Sequence, residues 1–306
     1  MHLGPRRLCR VRFGVVILPQ FPWPEARRRW RKAEELGFDH AWTYDHLSWR
    51  TLADQPWGAT IPTLTAAALV TEKIRLGTFV TSPNFRHPVP FAKDLGTVDE
   101  ISSGRMVLGI GSGGTGFDSF VLGQEELSPR RRHERFVEFT RGLDALLRYE
   151  TEPGGISFDG DFFRAVDARM VGEPAQRPRM PFVLAANGPK GLRLVAELGQ
   201  GWVTTGPDGD GGDAWWSRVA ELSTRLDDAL AEAGRDPASI ERHLSIDSGG
   251  TYSLSSPDAA DDAVGRAAEL GFTDVILHWP RPDEPYLGTE DALDAFAARH
   301  LTPATS

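Results

Sequence analysis

The chain has 306 residues, 40% of them hydrophobic and 25% charged, with a formal net charge of -9 from 34 Lys+Arg against 43 Asp+Glu. This is the composition of an ordinary globular protein, and the acidic balance weighs against a nucleic-acid binder, whose affinity rests on a positive surface. The single cysteine, Cys9, rules out an intramolecular disulfide and fits a reducing compartment. No apolar run nears the roughly 18–20 residues that span a bilayer. Arg6, Arg7 and Arg10 are followed by no signal-peptide core. These features predict a cytoplasmic protein with no membrane or nucleic-acid partner: a disordered leader over residues 1–10, then one domain over 11–306.

Arg12 to Leu18 is a β-branched run that predicts a buried strand. Ala26, Trp30 and Ala33 recur at helical spacing from Glu25 to Leu36, where Gly37 ends the helix. The basic residues Arg27, Arg28, Arg29, Arg31 and Lys32 read as its solvated face. A second strand carries Phe38, Ala41 and Trp42 and stops on Asp45-His46. After a Trp- and Pro-containing insertion, Leu47 to Pro62, come a helix over Thr63–Thr71, a strand over Ile74–Thr81 and a helix over Val89–Ile101. A strand over Arg105–Ile110 leads into a glycine-rich loop, Gly111 to Gly116, and a long helix over Pro129–Tyr149. Alternation around Asp159-Gly160 predicts an inserted hairpin within Gly154–Val171.

The rhythm resumes with strands at Pro181–Ala185, Gly201–Thr205, His243–Asp247 and Thr273–His278. The helices after them cover Pro189–Leu198, Ala214–Ala233, Pro257–Leu270 and Glu290–His300. Eight strand-then-helix units predict an α/β fold, a (β/α)8 TIM barrel with inserted loops. An open Rossmann sheet competes, because Gly111, Gly113 and Gly116 have G-x-G-x-x-G spacing. They follow the fourth unit, however, and no strand-end acid lies about twenty residues on.

A barrel gathers the carboxyl ends of its strands at one mouth. Chain order places there Pro19 and Gln20, Asp45 and His46, Thr81 and Ser82, Ser112 and Gly113, Asn187 and Gly188, Thr204 and Thr205, Asp247, and His278 and Trp279. Hydroxyls, amides and tryptophans with few charges suit a planar ligand with a polar rim. His46 can exchange a proton near neutral pH; a structural histidine is the plainer alternative. Asn187-Gly188-Pro189-Lys190 opens a helix as phosphate-binding termini do, and as ordinary caps also do. Arg130, Arg131 and Arg132 begin another helix, either solvated or receiving an anionic tail. A metal hydrolase would need a ligand triad such as His46, Asp247 and His278; the His-x-His expected after the first strand is Leu18-Pro19-Gln20 instead.

Several stretches in order resemble the bacterial luciferase-like superfamily. They are Arg12-Phe13-Gly14, Ala33 to Asp39, Tyr44-Asp45-His46-Leu47, Leu76-Gly77-Thr78, Phe85 to Pro88, Gly104-Arg105 with Leu108 to Gly111, and Ala185 to Pro189. The resemblance implies a (β/α)8 barrel, often a homodimer, that binds FMN or the deazaflavin coenzyme F420. Asp-His after the second strand looks like the deazaflavin branch, whose sugar-phosphate dehydrogenases use the matching aspartate to contact the cofactor and the matching histidine as acid/base. Carried over, this makes Asp45 a cofactor contact and His46 catalytic. The family's non-proline cis bond would fall at Phe79-Val80, behind the ring. Ser82, Ser112, Gly113, Asn187, Gly188, Lys190 and Gly191 match cofactor-contacting positions.

Two departures stand out. Gly114 occupies the place of those dehydrogenases' catalytic glutamate, and Trp49 sits three residues past His46 instead of four. The resemblance therefore implies hydride transfer between F420 and another small organic substrate, with C=C or C=N reduction expected. Trp49, Trp57 and Trp279, with Asp247 and His278, would shape the substrate pocket, and no metal is expected. An FMN-dependent monooxygenase is the alternative, and a metal-dependent barrel hydrolase a further one.

Overall fold

The computed structural model describes residues 10–302 apart from 115, 149–153, 173, 208 and 210. Nine of the ten leader residues, Cys9 among them, and the expected helix end at Tyr149 lie outside the described residues. The elements run β1 (Arg12–Val16), α1 (Trp23–Glu35), β2 (His40–Thr43), α2 (Thr60–Ala68), β3 (Arg75–Thr78), α3 (Pro88–Ile101), β4 (Met106–Ile110), α4 (Phe117–Val121) and α5 (Pro129–Leu147). A hairpin follows, β5 (Ile156–Asp159) and β6 (Arg164–Ala168). The chain then continues through β7 (Phe182–Ala185), α6 (Pro189–Leu198), β8 (Gly201–Thr204), α7 (Gly212–Glu232), β9 (Glu241–Ser245), α8 (Pro257–Glu269), β10 (Asp274–His278) and α9 (Glu290–His300).

Eight strands close on themselves in the order β1-β10-β9-β8-β7-β4-β3-β2, and β5-β6 stand apart as an antiparallel pair. This is the (β/α)8 barrel expected. Its strands are covered on both faces, so they read as near-continuous apolar runs; every residue of β4 and β10 is buried. No helix among the described residues is long and apolar enough to cross a membrane.

Three readings of local structure change. α2 begins at Thr60, not Thr63, and α4 follows the glycine loop where no helix was expected. Phe117–Val121 spans little more than one turn, too short for a 3.6-residue period to show. Asp247 lies beyond the end of β9, in a 3-10 turn.

The chain divides into two compact units, residues 1–17, 32–41 and 186–306, and residues 18–31 and 42–185. In the first, β10 pairs in parallel register with β1 and β9, which sets Arg12, Asp274 and His243 in one row. Asp274 is fully buried and accepts from Arg12 Nε (2.8 Å) and Nη2 (2.7 Å) and from Thr273 Oγ1 (2.6 Å), with His40 Nε2 at 3.1 Å. Burial alone would raise the carboxyl's pKa. His243, His40 and Arg12 outweigh it and hold the group below the usual carboxylate range. Its stabilising contribution is thus present above about pH 4 and is lost as pH falls further. Asp274→Asn should flatten the acid limb of a plot of unfolding free energy against pH, measured by urea titration; an unchanged limb would refute this. In the same unit α7 turns Trp215, Val219, Leu222, Leu226 and Leu230 inward, as its periodicity predicts.

In the second unit β4 pairs with β3 and β7, and α3 and α5 meet through Phe91 and Phe139, whose rings stack at 6.2 Å. Gly77 is required by packing, since a Cβ there would lie 2.3 Å from the Trp42 ring. The basic face of α1 is not wholly solvated: Arg29 is 8% exposed, bonded to Glu25 and 3.5 Å above the Phe21 ring. The hairpin expected within Gly154–Val171 forms, and Glu138 of α5 holds its turn by accepting backbone N–H groups of Asp161 (3.1 Å) and Phe163 (2.5 Å).

Candidate active site

Asp45 and His46 follow β2 directly, and their side chains enter different environments. Asp45 is 1% exposed. Its Oδ1 accepts from Arg86 Nη2 at 2.6 Å, and its Oδ2 from Arg86 Nε at 3.2 Å and from Thr81 Oγ1. Thr81 lies just past the Phe79-Val80 peptide, which is cis as the resemblance implied. The backbone there is laced to β4: Thr81 N donates to Gly109 O and Gly111 N to Thr81 O, both at 2.8 Å.

His46 is anchored by a residue that sequence reasoning missed. Its Nδ1 lies 2.7 Å from Asp118 Oδ2, while Asp118 Oδ1 accepts the Leu47 N–H at 2.8 Å. Asp118 sits in the first turn of α4 and is fully buried. A carboxylate oxygen accepts, so Nδ1 carries the proton and Nε2 is left for proton exchange. The ring is 10% exposed at its side chain and lies against Trp49, with centroids 4.5 Å apart. Tyr44 meets Trp49 edge-on at 5.1 Å and stacks with Phe79 at 6.4 Å. Trp57 Nε1 donates to the His46 carbonyl at 2.9 Å. Trp49 and Trp57 therefore join His46 in one aromatic wall.

The glycine loop after β4 approaches Asn84. Gly113 has φ +72°, and a Cβ there would lie 2.5 Å from the Asn84 amide. Asn84 is buried, donates to Gly113 O at 3.3 Å and accepts from Arg135. Its N–H reaches the buried Ser82 Oγ at 3.4 Å. A Cβ on Gly114 would meet nothing within 4 Å, so that backbone borders open space.

The other candidates belong to the first unit. Asn187 Oδ1 accepts from Thr204 Oγ1 at 2.7 Å, and its Nδ2 donates to Gly206 O at 3.0 Å. Gly188 caps α6 with Pro189 in the first turn, Lys190 is exposed, and Gly191 packs on Ala186. Asp247 Oδ2 accepts the His278 N–H at 2.6 Å and lies 3.0 Å from His278 Nδ1. Tyr286 stacks on that imidazole at 3.8 Å. His278 and Trp279 are each 2% exposed, and Trp279 donates to Glu290 at 3.3 Å.

His46, Asp247 and His278 do not figure among the described residues as a group of possible metal ligands. His46 is bonded to Asp118, and Asp247 to His278. Among the described residues one trio of possible metal ligands lies close together, His40, His243 and Asp274. Both oxygens of Asp274 already accept from Arg12, which supplies the positive charge there.

A closed parallel barrel that carries a buried histidine–aspartate pair, a non-proline cis peptide and a glycine-rich loop has the build of an enzyme. The chain belongs to the luciferase-like monooxygenase family, whose pattern matches residues 11–284. A 5,10-methylenetetrahydromethanopterin reductase of Archaeoglobus fulgidus is 34% identical over 192 residues, 62% of this chain. The matched stretch spans only 52% of that protein. An F420-dependent glucose-6-phosphate dehydrogenase of Beutenbergia cavernae is 30% identical over 305 residues, covering 82% of this chain and 86% of that protein. The structure of the coenzyme F420 dependent tetrahydromethanopterin reductase of Methanopyrus kandleri superposes with a TM-score of 0.74 at 19% identity, over 96% of this chain and 100% of that one. At that identity the likeness is one of fold.

Proposed function

We propose that this chain is an oxidoreductase that uses coenzyme F420 to move a hydride to or from a small organic substrate, with reduction of a C=C or C=N bond as its reaction. The observation that carries the reading is the His46–Asp118 pair, which fixes one ring nitrogen and presents the other beside an aromatic wall. The dependence of these relatives on F420 supports the choice of cofactor.

The residues fit such a group. Backbone at Gly114 borders open space, Gly113 has no Cβ to intrude, and Ser82 and Asn84 bring a hydroxyl and an amide close to that loop. In this reading Ser82, Ser112 and Gly113 hold the ring's polar edge. Phe79 and Val80 would pack against the ring, and Asp45, braced by Arg86, would offer it an acceptor. When bound, the deazaflavin supplies or takes up hydride at carbon and reacts poorly with oxygen. The protein's own part is proton traffic at His46 Nε2: the ring gives up a proton in the reductive direction and takes one in the oxidative direction, while Asp118 keeps Nδ1 bonded. Sugar-phosphate dehydrogenation fits less well. Gly114 brings no carboxylate, and the nearby carboxylate that is present, Asp118, is engaged with His46 and Leu47.

Membership of this family also supports a second reading, an FMN-dependent monooxygenase. Titrating apoprotein with F420 and with FMN, followed by cofactor fluorescence, separates the two. Tight F420 binding with weak FMN binding is expected. The reverse preference, with substrate-dependent oxygen uptake, would replace this proposal with the monooxygenase.

A further inference from the structure

The first unit carries a second cluster of ionisable groups, at the amino ends of its strands. Barrels of this kind hold their chemistry at the other, carboxyl ends. His40 opens β2, Asp274 opens β10 and Arg12 opens β1, while Glu241 and His243 stand two apart at the start of β9, on one side of the strand. Strand register sets Asp274 beside both Arg12 and His243. His40 and His243 are each 1% exposed and Asp274 is fully buried. The side chains of Arg12 and Glu241, at the edge of the cluster, are 36% and 27% exposed.

The donor atoms have the spacing of a coordination shell. His40 Nε2 lies 3.1 Å from Asp274 Oδ1. His243 Nε2 lies 3.9 Å from Asp274 Oδ2 and 3.4 Å from Glu241 Oε2. Zn²⁺ binds imidazole nitrogen and carboxylate oxygen at about 2.0–2.2 Å, which sets the ligand atoms of a tetrahedron about 3.3–3.6 Å apart. The observed separations straddle that edge length. Outer support is also in place: Thr273 Oγ1 donates to Asp274 Oδ2 at 2.6 Å and accepts the Arg242 N–H at 2.8 Å, which fixes the orientation of the carboxylate.

Arg12 is the cation that joins the two carboxylates, with Nη2 at 2.7 Å from Asp274 and 2.8 Å from Glu241. Two carboxylates and one guanidinium leave a single negative charge when both imidazoles are neutral. A dication in place of the guanidinium leaves none, and the partial exposure of Arg12 gives its side chain a route into water. Two imidazoles with two carboxylates favour Zn²⁺ or a neighbouring transition metal over Mg²⁺ and Ca²⁺, which take oxygen ligands.

We propose that His40, His243, Asp274 and Glu241 form a tetrahedral site for a divalent transition-metal ion, which Arg12 vacates when the ion binds. The ion would tie together the starts of β2, β9 and β10, so its effect falls on stability. The site is independent of the cofactor and of His46.

The test titrates the metal-stripped full chain with Zn²⁺ by isothermal titration calorimetry. One site is expected, together with a rise in unfolding temperature, because an ion bound only by the folded state stabilises it. His243→Ala should weaken Zn²⁺ by more than about 100-fold, beyond the 10–100-fold that loss of an outer partner costs, and should abolish the rise. Circular dichroism reports whether that variant folds. Two substitutions at partly exposed side chains carry the test if it does not: Glu241→Gln should weaken Zn²⁺ by about tenfold, and Arg12→Met, which removes the competing cation, should tighten it by about tenfold, each the scale of one hydrogen bond to a charged group. His46→Ala should leave affinity within about twofold. Co²⁺ in place of Zn²⁺ should give the intense visible absorption of tetrahedral coordination. Absent Zn²⁺ binding in the parent protein, equal binding in Glu241→Gln and Arg12→Met, loss of binding in His46→Ala, or the pale spectrum of octahedral Co²⁺ would each overturn the proposal.

Discussion

Replacing His46 with alanine is expected to lower turnover by about 10²–10⁴-fold, the usual contribution of a positioned acid or base, while cofactor affinity changes by only a few fold. The geometry predicts this split. The imidazole is tied through Nδ1 to a buried carboxylate and lies along Trp49. Its removal takes away a proton-exchanging atom without touching Ser82, Gly113 or Asp45. Asp118→Asn should fall between the parent and His46→Ala. An amide can offer its oxygen to Nδ1–H or to the Leu47 N–H, but not to both, and it can present N–H to the ring and favour the wrong tautomer. The measurement is single-turnover hydride transfer followed at the cofactor absorbance across a range of pH. A positioning role for Asp118 shifts the pH profile, whereas a merely structural one lowers the amplitude of active protein. Normal turnover in His46→Ala would remove the acid/base assignment and with it the mechanism proposed above.

Arg86→Met is expected to cost about 3–5 kcal/mol of folding stability, because breaking a buried ion pair strands its other charge. Asp45 is the charge at stake: it is 1% exposed, and Arg86 contacts both its oxygens. Thr81 remains as a partner, but a hydroxyl offers a dipole, not a charge. Part of the loss is packing, since the guanidinium lies 4.7 Å from the centroids of both Phe85 and Phe91. The double variant Arg86→Met with Asp45→Leu separates the two contributions. Removing both charges should recover much of the loss, as replacement of buried pairs by apolar residues often does. Urea unfolding gives the free energies. A single-variant loss under about 1 kcal/mol would mean that water reaches Asp45 and that the pair is not the brace described here.

Much of the fold was legible before the structure. Strands such as Met106–Ile110 and Asp274–His278 announce themselves as apolar runs, and Pro189–Leu198 and Glu290–His300 match their predicted bounds. Helix starts were readable where a cap is local: Ser128 accepts from Arg131 N with Pro129 in the first turn of α5, and Thr289 accepts from Ala292 N. Asp45-His46 and the glycine loop at Gly113 were visible as motifs, and the position of the cis bond followed from the resemblance to the family. The short helix α4 was not, and with it the anchor of the candidate acid/base was hidden.

The amino-acid sequence by itself determined what depends on neighbours a few residues apart: the strand and helix rhythm, the caps, the inserted hairpin, and which residue types stand at the strand ends. Only the tertiary structure decided how those side chains pair. His46 meets Asp118 across 72 residues, Asp45 meets Arg86 across 41, and Asn84 meets Arg135 across 51. Such partners share no period and no turn. They come together through strand register and helix packing, so the charges left uncompensated in this chain become visible only when the folded backbone has assigned the others their partners.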